Sequence, residues 1–108
     1  MAATLQIANE KGAYALTDRG TFLAVGKGMT LQVEFQGAPE LLNIYHVMEV
    51  NPAQFPRVNS EGGRAFADFM LAPATQDFIR TFGTSKFGQP LFTPRAGQRE
   101  EDLTQPTH

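Results

Sequence analysis

Cysteine is absent, so the chain has no disulfides, no zinc-thiolate sites and no thiol nucleophile. No apolar run approaches the length of a membrane span, and the first residues, Met1-Ala2-Ala3-Thr4-Leu5-Gln6, carry no basic flank followed by an apolar segment. A concentrated Lys/Arg surface is missing too. The nine basic residues are scattered, the net charge is -2 and the pI is near 5.6, which argues against a nucleic-acid partner. Histidine is scarce: His46 lies in an apolar segment and His108 near the end, neither with a second His or carboxylate at metal-ligand spacing. His46 is therefore expected to be a satisfied core histidine. There is no Gly-x-Ser-x-Gly elbow, and Ser60 and Ser85 sit in cap and loop contexts, so a hydrolytic triad is unsupported and no enzyme is expected.

What is present is one modest core's worth of apolar residues, 42% of 108, enough for one compact unit. Leu5 and Ala8 share a helical face in the first ten residues, ready to pack on a sheet, and Gly12 suits a left-handed cap. Residues 13–16 form a continuous apolar run and predict a strand covered on both faces. Asp18 stands at an N-cap position, before a two-turn helix ending at Gly26. Gly26-Lys27-Gly28-Met29-Thr30 lacks phosphate-loop spacing and reads as a turn. Residues 31–35 alternate strictly and predict a half-exposed strand, and residues 44–50 predict a largely buried one.

Residues 51–59, with two prolines, predict a loop, after which Asn59 or Ser60 caps a helix bearing Ala65, Phe66, Phe69 and Met70 as its core stripe. Pro73 opens another helix, whose buried face comprises Thr75, Phe78, Ile79 and Phe82 before Gly83. Residues 86–94 are too rich in Gly and Pro for regular structure, yet Phe87, Leu91 and Phe92 are expected to dock on a surface. From Arg95 the chain turns polar, predicting a flexible tail over residues 95–108 that includes the acidic run Glu100-Glu101-Asp102.

The chain is organised around Gly12-Ala13-Tyr14-Ala15-Leu16-Thr17-Asp18-Arg19-Gly20-Thr21-Phe22, a strand-to-helix junction of the kind where α/β proteins place ligands. Its simplest reading is structural, with Asp18 capping and Arg19 in solvent. Its functional reading is that backbone N–H groups and the Thr17 and Thr21 hydroxyls face an anion.

This stretch, together with Leu42-Asn43, Val50-Asn51-Pro52, Asn59-Ser60-Glu61-Gly62 and Lys86-Phe87-Gly88-Gln89-Pro90-Leu91-Phe92-Thr93-Pro94, resembles the periplasmic tungstate-binding proteins of ABC transporters, relatives of the molybdate-binding proteins. The similarity extends through the first eleven residues and spares only the tail. The resemblance implies an α/β chain with part of a type II periplasmic-binding-protein fold: half of lobe 2, a crossing strand and the closing helices of lobe 1. Residues 1–41 would be the remainder of the second lobe, 42–94 the crossing strand and first-lobe helices, and 95–108 the tail. It further implies a tungstate or molybdate ligand and no cofactor or catalysis, an ABC permease as partner and a periplasmic location. The upstream part, with its signal peptide and further ligand loops, would be missing.

The oxyanion-facing positions carried over by the resemblance are Met1, Ala2 and Ala3 at the first helix start, and Thr17, Asp18 and Arg19 at the junction. Ala2 stands where the family has glycine. Ile44 and His46 depart from the family's Leu-Asn-Pro-Tyr segment, so no ligand role passes to Asn43 or Tyr45. Half a clamshell is expected to bind its anion poorly, and its unpaired edges to favour a homodimer or swapped assembly.

Overall fold

A computed structural model describes residues 1–103. Helices α1 (Ala2–Lys11), α2 (Arg19–Val25), α3 (Ser60–Leu71), α4 (Pro73–Thr81), α5 (Thr84–Phe87) and α6 (Glu100–Leu103) follow one another, with a 3-10 turn at Pro39–Leu41. They pair locally: α1 packs on α2, and α3 on α4.

Most helix boundaries follow from short-range chemistry. Gly12 takes the left-handed conformation (φ 59°) that stops α1, and the Ala13 amide reaches back to the Ala8 carbonyl at 2.9 Å. Asn59 rather than Ser60 caps α3, accepting from the Gly62 amide at 2.9 Å. Pro73 occupies the first position of α4, where its missing N–H is no loss.

The strands expected at residues 13–16, 31–35 and 44–50 are not formed. Among the described residues there is no strand: residues 13–16, 31–35 and 44–50 run without ladder hydrogen bonds to one another or to anything else. Strand propensity expresses itself only when a neighbouring strand takes the backbone groups, and no backbone hydrogen bond joins any of these segments to another. Their side chains are uncovered as a result. Tyr14 is 93% exposed, Met48 83% and Phe35 73%, where residues 13–16 and 44–50 were expected inside.

The buried set is Leu5, at 2% exposure, with Ala8 and Ala67. On α3 the expected stripe is displaced: Phe66 and Phe69 face solvent and Ala67 is buried, with Met70 half-buried beside it. The apolar arc of this helix is wider than the narrow surface packed on it. Thr75 and Ile79 of α4 are half-buried, whereas Phe78 and Phe82 remain exposed. Their rings instead build a series at the surface: Phe78 to Phe82 at 5.5 Å, Phe82 to Phe92 at 6.2 Å, Phe92 to Tyr45 at 6.2 Å.

Of the expected docking, that of Leu91 and Phe92 takes place, whereas Lys86 and Phe87 end the helix α5, where no regular structure was expected. The Leu91 amide donates to the Phe82 carbonyl at 2.9 Å, and Leu91 lies over Gly83, whose φ of 91° and closeness to Leu91 leave no room for a Cβ. Past Arg95 the structure adds order where a tail was predicted. Gln76 accepts from the Ala96 amide and donates to the Met70 carbonyl, and Arg99 grips Asp102 across the single turn of α6. The remainder of the predicted tail, residues 104–108 with His108, lies outside the described residues.

The whole is open. Its accessible surface is 9022 Å², against about 5,900 Å² for a folded monomer of this mass. Its radius of gyration is 17.5 Å, against about 13 Å for a compact chain of this length.

Candidate functional site

The candidate site comprises two helix starts, those of α1 and α2. At the first, α1 begins without a side-chain cap: the Leu5 amide bonds to the Met1 carbonyl at 3.1 Å, and the Ala2 and Ala3 amides have no partner among the described residues. Such amides, with the positive end of the helix dipole behind them, are donors for an anion.

At the second start, Asp18 holds an extended conformation (φ -79°, ψ 154°) that brings its carboxylate over the first turn of α2. The Thr21 amide donates to Asp18 Oδ1 at 2.6 Å, and the Thr21 hydroxyl donates to Oδ2 at 2.8 Å. The Thr21 amide bond, and then its hydroxyl bond, hold the Asp18 carboxyl below its ordinary value of 3.8, outweighing partial burial; the Met1 ammonium adds a smaller effect in the same direction. The two helix starts belong to the packed α1/α2 pair.

The expected donors divide in a way the sequence did not disclose. The Thr17 hydroxyl donates to the Asp18 carbonyl at 3.3 Å and the Thr21 hydroxyl is spent on the carboxylate. The backbone amides from Thr17 to Gly20 and the exposed Arg19 guanidinium have no internal partner among the described residues. Gly20 keeps the approach close, since a Cβ there would lie 3.3 Å from Asp18 Oδ1 and 3.9 Å from Leu91 Cβ. Leu91 thus forms an apolar wall beside the α2 start.

A further support went unseen in the sequence because it joins residues far apart. Asn9 Oδ1 accepts from both the Thr30 amide (2.7 Å) and the Thr30 hydroxyl (3.0 Å), tying the loop after α2 to the end of α1. An exposed Asn within a helix carries no local signal for such a role.

Other candidates do not develop into sites. His46 is not the core residue expected: it is exposed, 3.7 Å from Glu100. Its segment lacks the covering sheet that would have buried it. Among the described residues no group of His, Asp or Glu is arranged to hold a metal ion, and no helix is long and apolar enough to cross a membrane. Lys27 sits in a simple turn closed by Met29 N to Gly26 O at 3.0 Å. The open hollow between Gln54, Phe55, Pro56, Arg57 and Val58 belongs to the 51–59 loop alone.

Comparison with known proteins decides the family. Residues 1–74, which include both helix starts, match the family described as the PBP superfamily domain. The chain belongs to this PBP superfamily. It is 37% identical over 98 residues to the tungstate-binding protein TupA of Peptoclostridium acidaminophilum, covering 91% of this chain and 34% of the relative. A putative ABC transporter anion-binding protein of Haloferax volcanii is 41% identical over 101 residues, with 89% of this chain and 29% of the relative covered. TupA of Campylobacter jejuni is 33% identical over 105 residues, 94% of this chain and 38% of the relative. The PBP-superfamily chain thus spans about a third of the length of the curated relatives it matches. All three relatives are named as binding proteins, two for tungstate and one for an anion of an ABC transporter, and none as an enzyme. No solved structure matches.

Proposed function

We propose that this chain is part of the solute-binding component of an ABC transporter for tungstate- or molybdate-type oxyanions, acting in the periplasm beside a permease and needing no cofactor. The observation that carries the reading is the 37% identity to a tungstate-binding protein along 91% of this chain. The chemistry at the helix starts supports it: the Ala2 and Ala3 amides of α1 and the Arg19 and Gly20 amides of α2 are unpartnered donors, with the Arg19 cation beside them. N–H donors at helix starts suit a tetrahedral oxyanion. In this reading Met1, Ala2, Ala3, Thr17 and Arg19 frame the ligand. Asp18 serves it indirectly, since its carboxylate is turned onto Thr21 and holds the junction in shape. In this reading residues 1–41 belong to one lobe, and residues 42–94 cross to and close the other.

The donors lie on one side only, so the 108-residue chain by itself is expected to hold oxyanion weakly. Titration calorimetry with sodium tungstate tests this. Heat too small to fit, or binding weaker than about 10⁻⁴ M, around −5 kcal/mol, is the expected result. Tight one-to-one binding refutes the reading of an incomplete site.

A second reading, a self-associating module derived from such a protein, is favoured by one observation. The accessible surface of 9022 Å² exceeds that of a compact monomer by about 3,100 Å², and the excess includes Tyr14, Leu16, Phe35, Tyr45 and Met48. In this reading those apolar side chains are buried in a homodimer or a strand-exchanged assembly. Light scattering that gives a monomer at high concentration counts against it.

A further inference from the structure

Leu91 touches both helix pairs. On one side it is mounted on the end of α4. Its amide donates to the Phe82 carbonyl at 2.9 Å, which closes the loop of residues 83–90 that contains α5, and the neighbouring Phe92 ring stacks on Phe82 at 6.2 Å. Leu91 Cγ lies 2.6 Å from the position a Gly83 Cβ would take, with the two Cδ atoms at 3.3 and 3.4 Å, so its branched tip rests directly on the backbone. On the other side Leu91 meets the start of α2. Its carbonyl oxygen and Cβ lie 3.8 and 3.9 Å from the position of a Gly20 Cβ, which is itself 3.3 Å from Asp18 Oδ1. Different atoms make the two contacts, the tip against Gly83 and the stem against Gly20. Elsewhere the pairs are joined sparsely. α1 packs on α2 and α3 on α4, and among the described residues no hydrogen bond, ion pair or ring contact links residues 1–41 to residues 42–100.

We infer that Leu91 is the joint coupling the two helix pairs, so that a displacement at the end of α4 is passed to the Asp18–Thr21 start of α2. Packed side chains have few alternative arrangements and transmit strain. A residue fixed to Phe82 by its amide and set against Gly20 by its stem therefore moves with α4 and carries α2 with it. Coupling of this kind is reciprocal, so whatever shifts the start of α2 also biases the end of α4. The joint goes beyond the binding role proposed above and needs no anion at the α2 start.

The chain has no cysteine, so an introduced pair of thiols reports this one contact. Cβ positions 3.9 Å apart at residues 20 and 91 match the disulfide spacing of about 3.8 Å. Under mild oxidation of the full 108-residue chain, Gly20→Cys/Leu91→Cys is expected to close an intramolecular disulfide at least about fivefold faster than the control Gly20→Cys/Phe92→Cys. A second arm leaves Gly20 in place and reads the amide chemical shifts of the folded chain. Gly83→Ala drives a Cβ against the Leu91 tip, and is expected to move the Gly20 and Thr21 signals at least about threefold further than that of Ala13, which bonds to Ala8 at the far end of α1. Leu91→Ala keeps the stem and removes the tip, so adding it to G83A should cut the Gly20 and Thr21 displacement at least about threefold. Equal closure of the two cysteine pairs overturns the contact. Gly20 and Thr21 signals that stay in place in G83A, or that move as far in G83A/L91A, overturn the coupling. Neither arm contains an anion, so either failure leaves the proposed binding role standing.

Discussion

Replacing Asp18 by Ala removes the acceptor of two hydrogen bonds, from the Thr21 amide at 2.6 Å and the Thr21 hydroxyl at 2.8 Å, and a negative charge from the start of α2. Loss of an N-cap carboxylate costs about 0.5–2 kcal/mol. Both contacts are short and charge-assisted, but Asp18 is only half-buried, so the upper half of that range, about 1–2 kcal/mol, applies. The effect is local and is best read locally, by hydrogen exchange of the Phe22 and Gly26 amides, which bond to the Asp18 and Phe22 carbonyls. Exchange is expected to rise by about 5- to 30-fold in D18A. Asp18→Asn retains an acceptor for the Thr21 amide, and Asn is as good a cap, so D18N should change the rates by less than about threefold. The pH dependence has a definite sign. Asp18 titrates below 3.8 when folded, so its stabilisation is fully present above the unfolded value and is lost as pH falls through the lowered folded one. The difference between wild type and D18A, expressed as opening free energy, should hold constant from pH 5 to 8 and shrink only below about pH 4. Equal exchange in wild type and D18A, or a difference that grows in acid, refutes the capping argument.

Two further outcomes test the supports around this junction. Gly83→Ala forces a side chain into φ 91° with its Cβ 2.6 Å from Leu91 Cγ; a loss of about 1–3 kcal/mol is expected in urea unfolding, with faster exchange of the Leu91 amide. Gln76→Ala removes both of its hydrogen bonds, to the Met70 carbonyl and from the Ala96 amide, so Ala96 protection should disappear while α4 amides such as Gln76, which bonds to Ala72, change by less than about threefold.

The parts of the fold legible in the sequence are those decided within four or five residues. Asp18, Asn59, Gly12 and Pro73 act on their own helix ends, and each does so in the structure because cap and donor are neighbours in the chain. Leu5 and Ala8 were legible as a face for the same reason, although they pack within the helical layer and not on a sheet.

What only the tertiary structure decided is which apolar residues find cover and which polar groups remain free. The alternation in residues 31–35 and the apolar runs at 13–16 and 44–50 state a capacity to form strands. A ladder needs a neighbour, and among the described residues the chain folds without supplying one. The candidate site divides the same way. Helix starts at Met1 and Asp18 are written locally, but the Leu91 wall beside Gly20 and the Asn9–Thr30 tie depend on packing between distant segments. That Thr17 and Thr21 spend their hydroxyls on Asp18 is settled locally, yet the sequence does not disclose it, because a hydroxyl's partner is chosen by rotamer and geometry that composition and spacing do not specify.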